Sequence, residues 1–425
     1  MEDRNIVGNF EYIRLLFWVI ILAVPVALLT TLYLFFYEQG ILLYESLSES
    51  SGISTALFTL LVAALGGLLV GLGQRYLGSR HSGSLQAEIA KGRVPYQGLA
   101  ASMLISLIRL IRGGSIGPEG PLGHMGAGIG SWLAEKRGYE PDKSRILSLA
   151  GISAAFGGFL GTPLSAAFMS MEFTGLLSMP IYANMVAALV AALIGAWVIF
   201  SLTGVLPAGA TNFPQEGLLN LAGLLYAVVF GLLGLGWAFL FKLIFGTIKP
   251  LAARLDQWPV LKPVIGGLVF GLVGAWLPIT LFSGENELGQ VLTRGAEIGI
   301  VMLLLLAIAK LVTLSVCMAT GFPGGFVFPL FFSAGALGYA IHLLLPFIPL
   351  PVCVVGMVAG IGGGVMRMPF AVILLLLVIG NPVLLPVSAM AAITSYLTAS
   401  ILDAGSARKA MRQAVVERRE TYQQA

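Results

Sequence analysis

An all-α protein that crosses a membrane many times is the fold class this sequence predicts, on three observations. Hydrophobic residues make up 57% of the 425 residues and charged residues only 10%, against about a quarter charged in soluble domains. Mean hydropathy is +0.93, more apolar sequence than a soluble core needs. Glycine and proline, 54 and 21 in number, gather at corresponding places in two halves of the chain, as in transporters built from repeats with interrupted helices.

Long apolar stretches run, in order, over 12–36, 56–73, 181–202, 218–245, 298–318 and 370–402, each reaching or exceeding the length that spans the hydrocarbon layer. The first follows Met1-Glu2-Asp3, is too long for a signal-peptide core and lacks a small-residue cleavage site, which predicts a retained helix. Arg75, Arg80, Lys91 and Arg93 share one loop, and Arg408, Lys409, Arg412, Arg418 and Arg419 crowd the C-terminus. The positive-inside rule assigns both groups to the cytoplasm, with an inner (plasma) membrane location. Glu417 and Glu420 interleave with the basic tail, so a juxtamembrane position explains it and no nucleic-acid partner is expected. The expected division is a first membrane repeat over 1–210, a second over 211–405 and a short basic tail over 406–425. The chain ends about twenty residues past the last apolar stretch, which leaves no room for a cytosolic regulatory domain.

Catalysis and metal chemistry find little support. Cys317 and Cys353 form no CxxC pair, and His81, His124 and His342 are scattered, so neither a metal site nor a cofactor is expected. No His-Glu-x-x-His run or nucleophile and base pair suggests an enzyme.

Glu119 is the most informative residue. It sits in Gly117-Pro118-Glu119-Gly120-Pro121, a lone carboxylate where charge is otherwise avoided, and an ionisable group at membrane depth marks function by default. Glycine admits close approach of backbone, and Pro121 suits the first turn of a helix, whose free N–H groups and positive dipole end would favour an anion. The second half answers with Gly321-Phe322-Pro323-Gly324-Gly325-Phe326-Val327-Phe328-Pro329. Likewise 157–163, ending in Gly161-Thr162-Pro163, is answered by 363–369, ending in Arg367-Met368-Pro369. Pro121 to Pro329 is 208 positions and Pro163 to Pro369 is 206. Interruptions that keep step in this way predict discontinuous helices whose ends meet at a midplane site; ordinary loosening by Gly and Pro is the plain alternative.

These residues resemble the CLC family of chloride channels and chloride/proton antiporters, over nearly the whole chain. Gly117 to Pro121 is similar to the family's Gly-Arg/Lys-Glu-Gly-Pro, whose glutamate is the gate. Gly321 to Pro329 is similar to the Gly-x-Pro-Gly-Gly-x-Phe-x-Pro run whose amides bind chloride. His81-Ser82-Gly83-Ser84-Leu85 is a weaker match to Gly-Ser-Gly-Ile-Pro, whose serine donates to the central anion. The resemblance implies two inverted-topology repeats with discontinuous helices, a homodimer in the lipid bilayer with one pathway per subunit, and transport of chloride or another small anion. It assigns gating to Glu119 and anion binding to Ser82, with Ser84 as the alternative, and to the backbone at Gly120, Phe326 and Val327.

Departures bear on mechanism. Pro118 removes the basic residue before the gate. The family's internal proton-transfer glutamate falls on Phe173, which carries no proton, with Glu172 beside it as a possible proton route; the central tyrosine falls on Ala407. The anion is then expected to be held by dipoles instead of a full buried charge, since a pathway must release its ion. Channel-like or weakly proton-coupled conduction is the reading favoured by Phe173. A chloride/proton antiporter is the alternative that the retained Glu119 and Glu172 leave open. A cation-coupled solute transporter is a third reading, short of carboxylates near the interruptions.

Overall fold

The computed structural model describes residues 10–77, 85–175, 181–206, 221–322, 324–380 and 382–424, with side chains to residue 405. The described residues hold sixteen α-helices and no β-strand. In the first half these are α1 (Phe10–Ser50), α2 (Thr55–Tyr76), α3 (Leu85–Ala90), α4 (Leu99–Ile111), α5 (Glu119–Lys136), α6 (Pro141–Leu160), α7 (Pro163–Thr174) and α8 (Ile181–Thr203). In the second they are α9 (Leu221–Ala253), α10 (Leu261–Trp276), α11 (Glu285–Ile298), α12 (Ile300–Ala319), α13 (Val327–Leu344), α14 (Leu350–Ile361), α15 (Pro369–Ile379) and α16 (Leu385–Gln424).

Proline punctuation sets the starts of the interrupted helices. Pro163 and Pro369 are the first residues of α7 and α15, where a missing N–H costs nothing because that group has no intrahelical acceptor. Pro121 and Pro329 are each the third residue of α5 and α13, still within the first turn. The two halves therefore repeat not only the spacing of their prolines but also the helix position each one takes.

Helix lengths are uneven. Seven segments among the described residues are long and apolar enough to cross a membrane: α1, α2, α8, α9, α12, α13 and the stretch Pro382–Gly405. At 41 residues, α1 is about 60 Å long, twice the hydrocarbon thickness. By contrast α7 and α15, of 12 and 11 residues, are too short to span. The apolar stretch 370–402 is not one helix. It breaks at Gly380, whose backbone is extended (φ −102, ψ −157), and a short 3-10 turn over Pro382–Leu384 precedes α16. Pro382 lacks the N–H that a continuous helix would use, a break that averaged hydropathy does not register.

The core is built round two helices that are apolar on all sides. Residues 146–160 of α6 and 351–361 of α14 are buried without interruption, the pattern of a helix enclosed by others. Helix α6 packs against α1, α5, α7 and α8, and α14 against α9, α13 and α16. Small residues set the distances. A Cβ on Gly126 of α5 would fall 2.2 Å from the Gly151 carbonyl oxygen of α6, and one on Gly151 would fall 2.0 Å from that of Gly126. Only glycine at both places lets the two backbones meet, which substitutes for the hydrophobic drive that lipid does not supply.

Candidate functional site

Two helix starts converge at the centre of the fold, held by backbone. The Gly117 N–H donates to the Gly325 carbonyl at 2.7 Å and the Gly325 N–H returns the bond to Gly117 at 2.7 Å, an isolated antiparallel bridge. These residues are 208 positions apart, the same offset that relates Pro121 to Pro329. Equivalent points of the two halves thus pair with each other, as at a local twofold axis. The approach demands glycine: a Cβ at Gly120 would lie 2.8 Å from the Gly324 carbonyl carbon, and one at Gly324 would lie 2.8 Å from the Ile116 Cβ.

Glu119 is the first residue of α5 and only 3% exposed. Its side chain crosses the twofold junction, where Oε1 accepts the Phe328 N–H of α13 at 3.2 Å. Oε2 is buried with no hydrogen-bond partner. That oxygen is lodged between the bridged glycines, since a Cβ on Gly117 would fall 1.8 Å from it and one on Gly325 1.7 Å. By the offset, Glu119 corresponds to Val327 and Gly120 to Phe328. One half therefore offers a carboxylate to the other half's amide, whereas Val327 has no oxygen to offer the Gly120 amide, which sits at a helix position without an intrahelical acceptor. Positive dipole ends of two helices meet an anion that only half uses them.

Of the residues expected to bind an anion, Gly120, Phe326 and Val327 lie at this junction: Gly120 is second in α5, Phe326 precedes α13 and Val327 opens it. The Phe328 amide, one residue further on, meets Glu119 at 3.2 Å, and the Val327 amide also acts on the same carboxylate. Ser82, with Ser84, lies outside the described residues. Ala407 falls inside α16, which runs unbroken from Leu385 to Gln424, so no helix starts at that position.

Glu172 forms a second junction of the same kind. It lies near the end of α7, 8% exposed, and its carboxylate spans the start of α15: Oε1 accepts the Phe370 N–H at 3.0 Å and Oε2 the Ala371 N–H at 2.8 Å. Ser165 of α7 adds a bond from its hydroxyl to the Ala371 carbonyl at 2.9 Å. Next to it, Phe173 is half-buried, and its carbonyl accepts the Gln86 side-chain amide at 2.5 Å.

Two buried cations escaped the sequence reading. Lys310 is wholly enclosed and Arg109 is 4% exposed. The signal was present in each case, a single cation inside an apolar helix, α12 and α4 respectively. Lys310 spends its charge on protein carbonyls at 2.9–3.0 Å, so it is not a free counter-charge for a passing anion. Cys317 and Cys353 are both buried. Among the described residues no cluster of three His, Cys, Asp or Glu side chains could hold a metal.

Residues 66–400 match the family model described as voltage gated chloride channel. A chloride/fluoride channel protein of Pseudomonas syringae pv. tomato is 30% identical over 322 residues, covering 72% of this chain and 67% of that protein. Among solved structures, a slow cyanobacterial Cl−/H+ antiporter superposes with a TM-score of 0.78 at 20% identity, over 92% of this chain and 95% of that one. A CLC-type fluoride/proton antiporter superposes with a TM-score of 0.76 at 22% identity, over 92% and 96%. At these identities the structural likeness shows a shared fold.

Proposed function

The chain belongs to the voltage-gated chloride channel (CLC) family, whose members are channels or transporters, and from that premise we propose that it conducts chloride or fluoride through a pathway gated by Glu119. The observation that carries this reading is the half-used junction of α5 and α13. A buried carboxylate with one unpartnered oxygen is a tethered anion that occupies amides a free anion can take. Protonation or displacement removes it, and the Gly120, Phe326, Val327 and Phe328 backbone then faces the ion. Binding by backbone dipoles is firm enough for entry and weak enough for release.

Channel-like or weakly proton-coupled conduction is the mode we favour. Phe173 stands where the resemblance places a proton-carrying glutamate, and Glu172 turns both oxygens to α15 amides, away from a relay. Full anion/proton exchange is the second reading, supported by the retained Glu119 and by two structural neighbours that are themselves antiporters. We take the protein to act as a homodimer with one pathway per subunit, in the inner membrane and with a cytoplasmic C-terminus, on the strength of family membership and the basic tail.

The test is anion efflux from proteoliposomes loaded with chloride or fluoride, with and without a proton ionophore. Wild-type vesicles are expected to empty faster than protein-free ones, with flux rising as pH falls. Glu119→Gln, neutral at every pH, is expected to flatten that dependence. Flux of sodium or an organic solute without anion flux would overturn the assignment.

A further inference from the structure

Lys310 lies midway along α12 with none of its surface exposed. Its Nζ donates to the carbonyls of Thr280 and Leu281 at 3.0 Å each and of Phe282 at 2.9 Å, so the three N–H donors of an ammonium meet three successive acceptors. The Phe332 ring of α13 lies 5.1 Å from the same atom. The acceptors belong to the tight turn between α10 and α11. Phe282 there holds φ +56 and Gly284 φ +96, and a side-chain-bearing residue enters that region only when its surroundings impose it. At Gly284 a Cβ would also press on Lys310 and Phe332, 3.1 Å from Cε and 2.9 Å from Cβ.

From this turn the contacts lead to the segment that carries Glu119. The Phe282 N–H donates to the Gly113 carbonyl at 3.3 Å, and Gly113, at φ +84, opens the approach to α5. One turn along α12 from Lys310, the Thr313 hydroxyl donates to Ser115 Oγ at 3.0 Å. Helix α12 thus holds the approach to α5 at two points, through Lys310 and the 280–282 carbonyls at Gly113, and directly at Ser115. Leu281, Phe282 and Glu287 also line a cavity of about 610 Å³, so the clamped turn touches open space as well as the segment it steadies.

We propose that Lys310 is a positioning residue for the gate: its ammonium fixes the 280–282 carbonyls, and through the bond from Phe282 to Gly113 it fixes the register in which Glu119 reaches the Phe328 amide. The inference rests on Glu119 being the gate and goes beyond it, because Lys310 touches neither Glu119 nor the amides that face the ion. A helix that holds the approach to α5 at two points keeps the carboxylate seated; loosening the anchor unseats it.

A double-mutant cycle in reconstituted full-length protein tests this. Lys310→Met is expected to raise anion flux at neutral pH about five-fold, the factor that corresponds to losing one net hydrogen bond at the gate. In the Glu119→Gln background the same substitution is expected to leave flux unchanged, since no seated carboxylate remains to be released. A merely structural role would alter flux by the same factor in both backgrounds, and that outcome overturns the proposal, as does unaltered flux in both. Should Lys310→Met fail to fold, Thr313→Val, which removes one hydroxyl, enters the same cycle with the same two expectations. Absence of any wild-type anion flux would defeat the proposed function; wild-type flux that responds to Glu119→Gln but shows no coupling to position 310 or 313 defeats this inference alone.

Discussion

The two buried carboxylates of the first half, Glu119 and Glu172, make the same journey to opposite effect. Each leaves a short or interrupted helix and reaches the N-terminus of its counterpart in the second half, α13 for Glu119 and α15 for Glu172. Glu172 arrives with both oxygens bonded, at 3.0 and 2.8 Å. Glu119 arrives with one bond at 3.2 Å and one oxygen without a partner. A carboxylate whose oxygens are both bonded to a helix start stabilises that start, each charge-assisted bond contributing about 1.5–3 kcal/mol. One left half-bonded in a buried place has less to lose by moving. The count of hydrogen-bonded oxygens separates the two, although both carboxylates reach a helix N-terminus, and it fits a latch at Glu172 and the gate proposed at Glu119.

Crowding the glycine cradle should break the comparison most strongly. Gly325→Ala would set a Cβ 1.7 Å from Glu119 Oε2, too close for the carboxylate to stay while the Gly117 to Gly325 bridge persists. With the side chain evicted, anion flux at neutral pH is expected to rise at least about ten-fold, equivalent to about 1.4 kcal/mol, and to lose its pH dependence. Flux that stays low and pH-sensitive in a folded Gly325→Ala protein would show that Oε2 does not need the space between the glycines.

Glu172→Gln sharpens the other side. The amide keeps one acceptor but turns an NH2 toward a backbone N–H, so one of two bonds is lost and a donor faces a donor. Stability is expected to fall by about 2–3 kcal/mol, read as a lowered thermal midpoint in detergent, while the pH dependence of flux is retained. A variant with wild-type stability and altered pH dependence would reverse the roles and place Glu172 on the ion or proton route.

How much of this was readable from sequence follows from what each feature depends on. The interruptions are local, so the offsets of 208 and 206 carried them, and the prolines even held their helix positions. Six apolar stretches gave far fewer elements than the sixteen helices of the described residues, because short and interrupted helices do not fill a hydropathy window. The meeting of Gly117 with Gly325 is long-range, but the repeat made it accessible, because equivalent residues of an inverted pair are those that can meet at the axis. Which amide receives Glu119 was not accessible. A shift of one residue from Val327 to Phe328 turns the donor by about 100° round the helix, and the carboxylate's place beside the Gly117–Gly325 bridge depends on contacts far apart in sequence. The break at Gly380 was hidden by an apolar average over two helices. Lys310 was visible as a lone charge in α12, yet its partners are the carbonyls of a turn whose shape depends on Phe282 adopting a positive φ, and no residue pattern announces that.

The smallest expected effect concerns proton coupling, where the comparison turns on one position. Phe173 follows Glu172 directly, and a one-residue step on a helix carries its side chain about 100° away from the α15 amides that hold Glu172. A carboxylate introduced as Phe173→Glu would therefore not compete for the latch, and its half-buried position gives it access to water. In opposed anion and proton gradients the wild-type reversal potential is expected to follow the anion alone. The Phe173→Glu variant is expected to move it by a few millivolts toward the proton potential, small because one added carboxylate supplies a proton acceptor without a complete path to Glu119. A wild-type reversal potential that tracks the proton gradient would make the protein an exchanger. The latch at Glu172 would then have to open in each cycle, at a cost of two charge-assisted bonds, and the distinction between the two glutamates would become one of timing instead of role.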